Sequence, residues 1–174
     1  WNAFASMTIV RPTAIAAALA NAEQAAALAP DSALAWARVA ELHMAGGDLG
    51  AALAAAQRAA SVEPALSRTQ TVLGFAHLTR IETGEARQAF GRAIAVDPSD
   101  PLPHLGLGLT RIRDGELAAG REEIEIAAGL DPRNSLVRSY LGKAYYEENR
   151  DVLAGSQLAL AKEADPNDPT PHLY

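Results

Sequence analysis

Small and apolar residues recur along this chain with helical spacing, and the spacing itself repeats. Pro30, Pro64, Pro98, Pro132 and Pro166 lie 34 positions apart. Twelve positions before each proline stand Ala18, Ala52, Ala86, Gly120 and Ala154, and five before stand Ala25, Ala59, Ala93, Ala127 and Ala161. Eight before stands a filler: Ala22, Ala56, Phe90, Ile124 or Leu158. Steps of four and three keep these positions on one face of an α-helix, which predicts a helix pressed close against a neighbour in every repeat. A further small residue recurs twenty-four before the prolines, at Ser6, Ala40, Gly74, Gly108 and Gly142, preceded by Ala5, Val39, Leu73, Leu107 and Leu141. These predict a second helix with its own point of close approach. A fixed period of this length is the mark of a repeat architecture.

The turn chemistry agrees with the period. Asp31-Ser32, Ser99-Asp100, Asn134-Ser135 and Asn167-Asp168 follow the prolines, and such side chains accept the free N–H groups of the next helix's first turn. Pro101 and Pro169 then fall near the first helical position, where a missing N–H costs nothing. Gly47-Asp48 and Gly115-Glu116 mark left-handed turns between the two helices of a repeat. The second full repeat has Ile81 at that offset and Gly84 three residues later, which predicts a displaced turn or a longer first helix there.

These residues resemble the tetratricopeptide repeat (TPR) family, whose pattern is W-x₂-L-G-x₂-Y, then A-x₃-F, then P. The fullest match is Leu141-Gly142 with Tyr145, Ala154, Leu158 and Pro166. Leu73-Gly74 with Ala86, Phe90 and Pro98 follows, as does Leu107-Gly108 with Gly120, Ile124 and Pro132. Trp36 holds the tryptophan offset, which Asn2, Gln70, His104 and Arg138 fill elsewhere; His43, His77 and Arg111 stand at the tyrosine offset. The resemblance implies an all-α fold, a right-handed α-solenoid of helix–turn–helix units. Its register gives one array over 1–174: a partial repeat at 1–32, full repeats at 33–66, 67–100, 101–134 and 135–168, and the start of another at 169–174.

Composition narrows the function classes. Alanine makes up about a fifth of the chain and aromatic residues 5%, which suits closely packed helices and not a β-sandwich. The chain has no cysteine, so disulfides, thiolate metal sites and a cysteine nucleophile are excluded. A net charge of −6, from 15 Lys+Arg against 21 Asp+Glu, argues against a nucleic-acid partner, which needs a basic stripe. No apolar run is long enough to span a membrane. The run Thr13–Ala22 after Arg11 imitates a secretion signal, but the repeat register accounts for its alanines better.

Catalytic chemistry is not nominated. His43 and His77 sit one repeat apart, without an obvious third ligand for a metal, and read as packed substitutes for tyrosine; His104 and His172 follow prolines at helix starts. Glu122, Glu123 and Glu125 flank the buried offset of Ile124 and read as a solvated outer face. Gly106 and Gly108 lack the flanking pattern of a phosphate loop, and no serine sits in a nucleophile elbow. The expectation is a non-enzyme with no cofactor and no metal.

The resemblance implies a concave groove lined by first helices. Carried over by offset, its lining is Ala37, Glu41 and Met44, then Thr71, Phe75 and Leu78, then Leu105, Leu109 and Ile112, then Ser139, Lys143 and Tyr146. The apolar middle of that groove suits an amphipathic helix or apolar segment of a protein or peptide partner. Alternatives are an assembly module that self-associates through exposed repeat ends at Trp1, Phe4, Leu173 and Tyr174, or an adaptor within a larger protein. Pro169-Thr-Pro171-His172-Leu173 copies Pro101-Leu-Pro103-His104-Leu105, which reads as an array that continues. The segments Leu105–Leu109, Ile124–Leu130, Ser139–Tyr145 and Asp165–Pro171 also resemble arrays in large bacterial envelope proteins with a FecR-like domain. That implies an envelope or periplasmic setting, against cytoplasm otherwise. Alanine at the filler offset in Ala22 and Ala56 predicts a softer amino-terminal part.

Overall fold

A computed structural model describes residues 12–172, and they divide between two compact units, Trp1–Asp97 and Pro98–Tyr174. The first unit contains α1 (Pro12–Leu28), α2 (Ala33–Gly46), α3 (Leu49–Val62), α4 (Ser67–Thr79) and α5 (Thr83–Val96). Here α2 packs on α3 and α4 on α5; α1 lies against α2, α3 against α4, and α2 beside α4. The second unit contains α6 (Pro101–Arg113), α7 (Leu117–Leu130), α8 (Ser135–Glu147) and α9 (Asp151–Ala164), then a 3₁₀ turn at Thr170–His172. Its pairs are α6 with α7 and α8 with α9, joined by α7 against α8, and the 3₁₀ turn sits on α8 and α9. Every described element is helical, an all-α fold built of helix pairs. Trp1, Asn2, Phe4, Ala5, Ser6, Leu173, Tyr174 and the His172 side chain lie outside what is described.

Side chains close the starts of α2, α3, α6, α8 and the 3₁₀ turn, whereas α4, α5, α7 and α9 begin without one. Ser32 accepts from Ala35 N, Asp100 from Leu102 N, Asn134 from Val137 N and Asp168 from Thr170 N. Asp48 does the same for α3, accepting from Ala51 N at 3.0 Å. The turn inside each helix pair uses one backbone form throughout. Gly47 and Gly115 have φ of 82° and 88°, and Ile81 and Asn149 occupy the same register with φ of 68° and 58°. The displaced turn or longer first helix expected near Ile81 is therefore absent: α4 ends at Thr79, and Ile81 itself takes the left-handed position. The closing bonds explain why. Ile81 N reaches Leu78 O and Glu82 N reaches His77 O, both at 3.0 Å, as Gly115 N and Glu116 N reach Ile112 O and Arg111 O at 3.0 and 2.9 Å. The two helices dictate the turn, and the residue in it conforms.

Close approach of paired helices follows a volume rule. A Cβ added at Gly74 would stand 2.6 Å from the Phe90 ring, one at Gly108 2.6 Å from Ile124 Cγ1, and one at Gly142 2.9 Å from Leu158 Cδ2. Glycine occurs on the first helix where the facing filler is large. Where the filler is Ala56, the first helix carries Ala40, and both are fully buried. Gly108 and Gly120 also face each other, each blocking a Cβ on the other with its carbonyl at 2.6 Å. The small positions Ala52, Ala59, Ala86, Ala93, Gly120, Ala127, Ala154 and Ala161 are buried, but Ala25 is exposed and Ala26 takes its place. In α1 the filler Ala22 keeps its buried place, and the contact shifts by one residue only at Ala26.

The tryptophan offset keeps one job under several side chains. Trp36 Nε1, Gln70 Nε2 and Arg138 Nε each donate to the carbonyl of the repeat proline six residues earlier, at 2.9, 3.0 and 3.0 Å. Each bond satisfies a carbonyl left free where the preceding helix stops. His104 departs from this and turns to Glu123 instead.

Candidate protein-binding surface

The first helices of the pairs, α2, α4, α6 and α8, carry the residues expected to line a groove. In the first unit, Ala37, Met44, Thr71, Phe75 and Leu78 are all buried. Phe75 meets Phe90 edge-on, with ring centroids 5.0 Å apart, so it belongs to the α4–α5 core. The Thr71 hydroxyl is taken up by Ser67 O at 2.9 Å. Glu41 is half-buried and held by two guanidinium groups, Arg38 at 3.2 Å on its own helix and Arg68 at the start of α4. In the second unit, Leu105 and Ser139 are buried, and the Ser139 hydroxyl donates to Ser135 O at 2.9 Å. Leu109, Ile112 and Lys143 are half-buried, and Tyr146 is 63% exposed. Lys143 reaches Glu147 at 3.8 Å, one turn along α8. The expected lining thus separates into a covered set and an accessible one, and the accessible apolar members lie on α6 and α8.

The tyrosine offset sets a polar side chain beside a carboxylate in each described pair, by hydrogen bond at His77 and Tyr145 and at ion-pair distance at His43 and Arg111. His43 Nε2 stands 3.6 Å from Glu23 of α1, and His77 Nδ1 is 2.7 Å from Glu82 in its own turn. Arg111 reaches Glu123 at 3.5 Å, and Tyr145 Oη donates to Glu125 at 2.6 Å. Hydrogen bonds from His77 and then Arg80 hold the Glu82 carboxyl below its usual range. The acidic run on α7 is accordingly not a solvated face as a whole. Glu122 is exposed, whereas Glu123 takes the His104 imidazole at 2.9 Å and Glu125 takes Tyr145 and Arg121. The His104 and Tyr145 partners lie 19 and 20 residues away in sequence, and only the pairing of α7 with α6 and α8 brings them together.

Electrostatics in this region stabilise the helix contacts. Burial works against the Arg121 cation, but Glu125 and Glu148 outweigh it and hold its pKa above the usual guanidinium value. Burial and then the neighbouring Glu125 both push the Tyr145 phenol up. Among the described residues, no three histidine or acidic side chains converge as a metal site would require, and no helix is long and apolar enough to cross a membrane. The arrangement offers contact surface, with its ionisable groups mostly engaged by one another. Arg68, which closes on Glu41 across 27 residues, was not foreseen from the sequence; its place one residue past the start of a first helix was the available signal.

A family model described as tetratricopeptide repeat matches residues 76–134 and 105–169, more than half of the chain. No curated protein matches the sequence significantly. Among solved structures the chain is similar to TTC0263, a thermophilic TPR protein of Thermus thermophilus, at 23% identity and a TM-score of 0.84, over 91% of this chain and 87% of that one. It is also similar to MamA, residues 41 to the end, from Desulfovibrio magneticus RS-1, at 19% identity and a TM-score of 0.66, over 92% and 91% of the two chains. A third neighbour is YrrB, described as a TPR protein with an unusual peptide-binding site, at 16% identity and a TM-score of 0.62, over 92% of this chain and 83% of that one. At such identities the likeness speaks for the fold alone. The further resemblance to FecR-associated envelope arrays finds no support in these matches.

Proposed function

The chain belongs to the tetratricopeptide repeat family, whose fold commonly mediates protein–protein interaction, and on that basis we propose that it is a non-catalytic scaffold. Its ligand is an apolar or amphipathic segment of a protein partner, held along first helices. The observation that carries this reading is the accessible apolar set on α6 and α8: half-buried Leu109 and Ile112, and the exposed Tyr146 ring. Half-buried aliphatic and exposed aromatic side chains on successive first helices, with Ile112 and Tyr146 at one register, suit a helix laid into a groove. Tyrosine contributes a large, rigid contact at small entropic cost. The buried members Thr71, Phe75, Leu78, Leu105 and Ser139 act beneath this surface as support, and Glu41 is held ready by Arg38 and Arg68.

Peptide display on the intact protein, followed by affinity measurement on the enriched sequences, tests the proposal. Leu109→Ala combined with Tyr146→Ala is expected to weaken binding by about tenfold or more while helicity is retained. Phe75 is a poor choice for such a test because its loss would open the α4–α5 core. Enriched peptides that bind the double variant as tightly as the parent would place recognition elsewhere.

A further inference from the structure

Where α7 meets α8, charged side chains cross from one helix pair to the next. Arg121 of α7 donates from Nη1 to Glu125 at 2.7 Å on its own helix and from Nε to the two oxygens of Glu148 at 2.9 and 3.1 Å, just past α8. Tyr145 of α8 donates to the same Glu125 oxygen at 2.6 Å. Arg150 completes the set, with its guanidinium carbon 4.8 Å over the Tyr145 ring and Nη1 3.5 Å from Glu148. The Arg121 and Glu148 side chains are mostly shielded from solvent, which strengthens their attraction relative to a surface pair. Two repeats earlier, where α3 meets α4, the corresponding residues of α3 are Leu53 and Gln57, and His77, Arg80 and Glu82 bond among themselves.

We propose that these five residues form an electrostatic clasp that makes the attachment of α8–α9 to α7 sensitive to acid and salt, so that this helix pair opens as a unit while α6–α7 stays closed. The other charged groups on the elements packed here face elsewhere. Glu123 of α7 turns to His104 and Arg111 of α6, Arg138 of α8 turns to Gln157 of α9, Lys143 turns to Glu147, and Glu122 is exposed. Burial alone would raise the Glu125 pKa, but the Tyr145 hydroxyl and Arg121 prevail and hold it below the usual value. A carboxylate so depressed contributes its full stabilisation above its unfolded pKa and loses it as pH falls through the folded one.

Amide hydrogen exchange on the full chain, corrected for intrinsic rates, reads the clasp directly. Raising the salt from roughly 0.05 to 0.5 M at neutral pH is expected to speed exchange in 135–164 about threefold relative to 101–130. Arg121→Met is expected to speed exchange in 135–164 about tenfold and to remove that salt response. Glu125→Gln, which keeps the Arg121–Glu148 pair, is expected to fall between this variant and the parent. Salt that acts alike on both helix pairs, or variants that exchange in 135–164 as the parent does, would overturn the clasp.

Discussion

Ile81 bears a conformational cost that its counterparts avoid. A β-branched residue at φ 68° is pressed against its own backbone, whereas Gly47 and Gly115 adopt the same turn freely and Asn149 tolerates it. The left-handed conformation costs an ordinary residue roughly 1–2 kcal/mol. Burial returns little of this, since Ile81 is 63% exposed. Ile81→Gly is therefore expected to raise the unfolding free energy by about 1 kcal/mol, and Asn149→Gly to change it by a few tenths. Denaturant midpoints check this, and a lowered midpoint for Ile81→Gly contradicts it. The two glycines announced their turns in the sequence because glycine is chosen for that conformation. Ile81 gave no such notice, since its conformation is imposed by α4 and α5. Gln70 and Arg138 hid their role in another way: neither resembles Trp36, yet each places an N–H within reach of the carbonyl six residues back.

Within a helix pair, the glycine of the first helix and the filler of the second behave as one unit. Gly74 lies against Phe90, and a methyl group there has no room, so Gly74→Ala is expected to destabilise the protein by about 2 kcal/mol. Adding Phe90→Leu, which withdraws ring atoms from the contact, is expected to recover a substantial part of that loss. Thermal or chemical unfolding of the single and double variants tests the coupling, and strictly additive losses would contradict it. The position of both residues was legible from their offsets to the proline. Their fit was not, because it depends on the distance between two helices. The same reason separates the groove candidates into two sets. Helical register placed Phe75, Leu105 and Tyr146 on first helices, but the approach of neighbouring helices buried the first two and left Tyr146 exposed. Ala25 lost its expected place to Ala26, while Ala22 on the same helix kept its own.

For the molecule as a whole, the 34-residue period was readable because the prolines, caps and small residues each report it independently. The ion pairs and hydrogen bonds that join elements were not, since Glu125 and Tyr145 have no sequence relation beyond their spacing of 20. The functional account rests on the second unit, where apolar first-helix side chains remain open to solvent while most ionisable groups are engaged by one another. Its most direct test is NMR chemical-shift mapping of the intact protein with a peptide enriched by display. The account predicts the largest shifts at Leu109, Ile112, Lys143 and Tyr146 on α6 and α8. Shifts concentrated instead on the exposed faces of α7 and α9, at Ile126, Leu130, Val152 and Leu160, would contradict it.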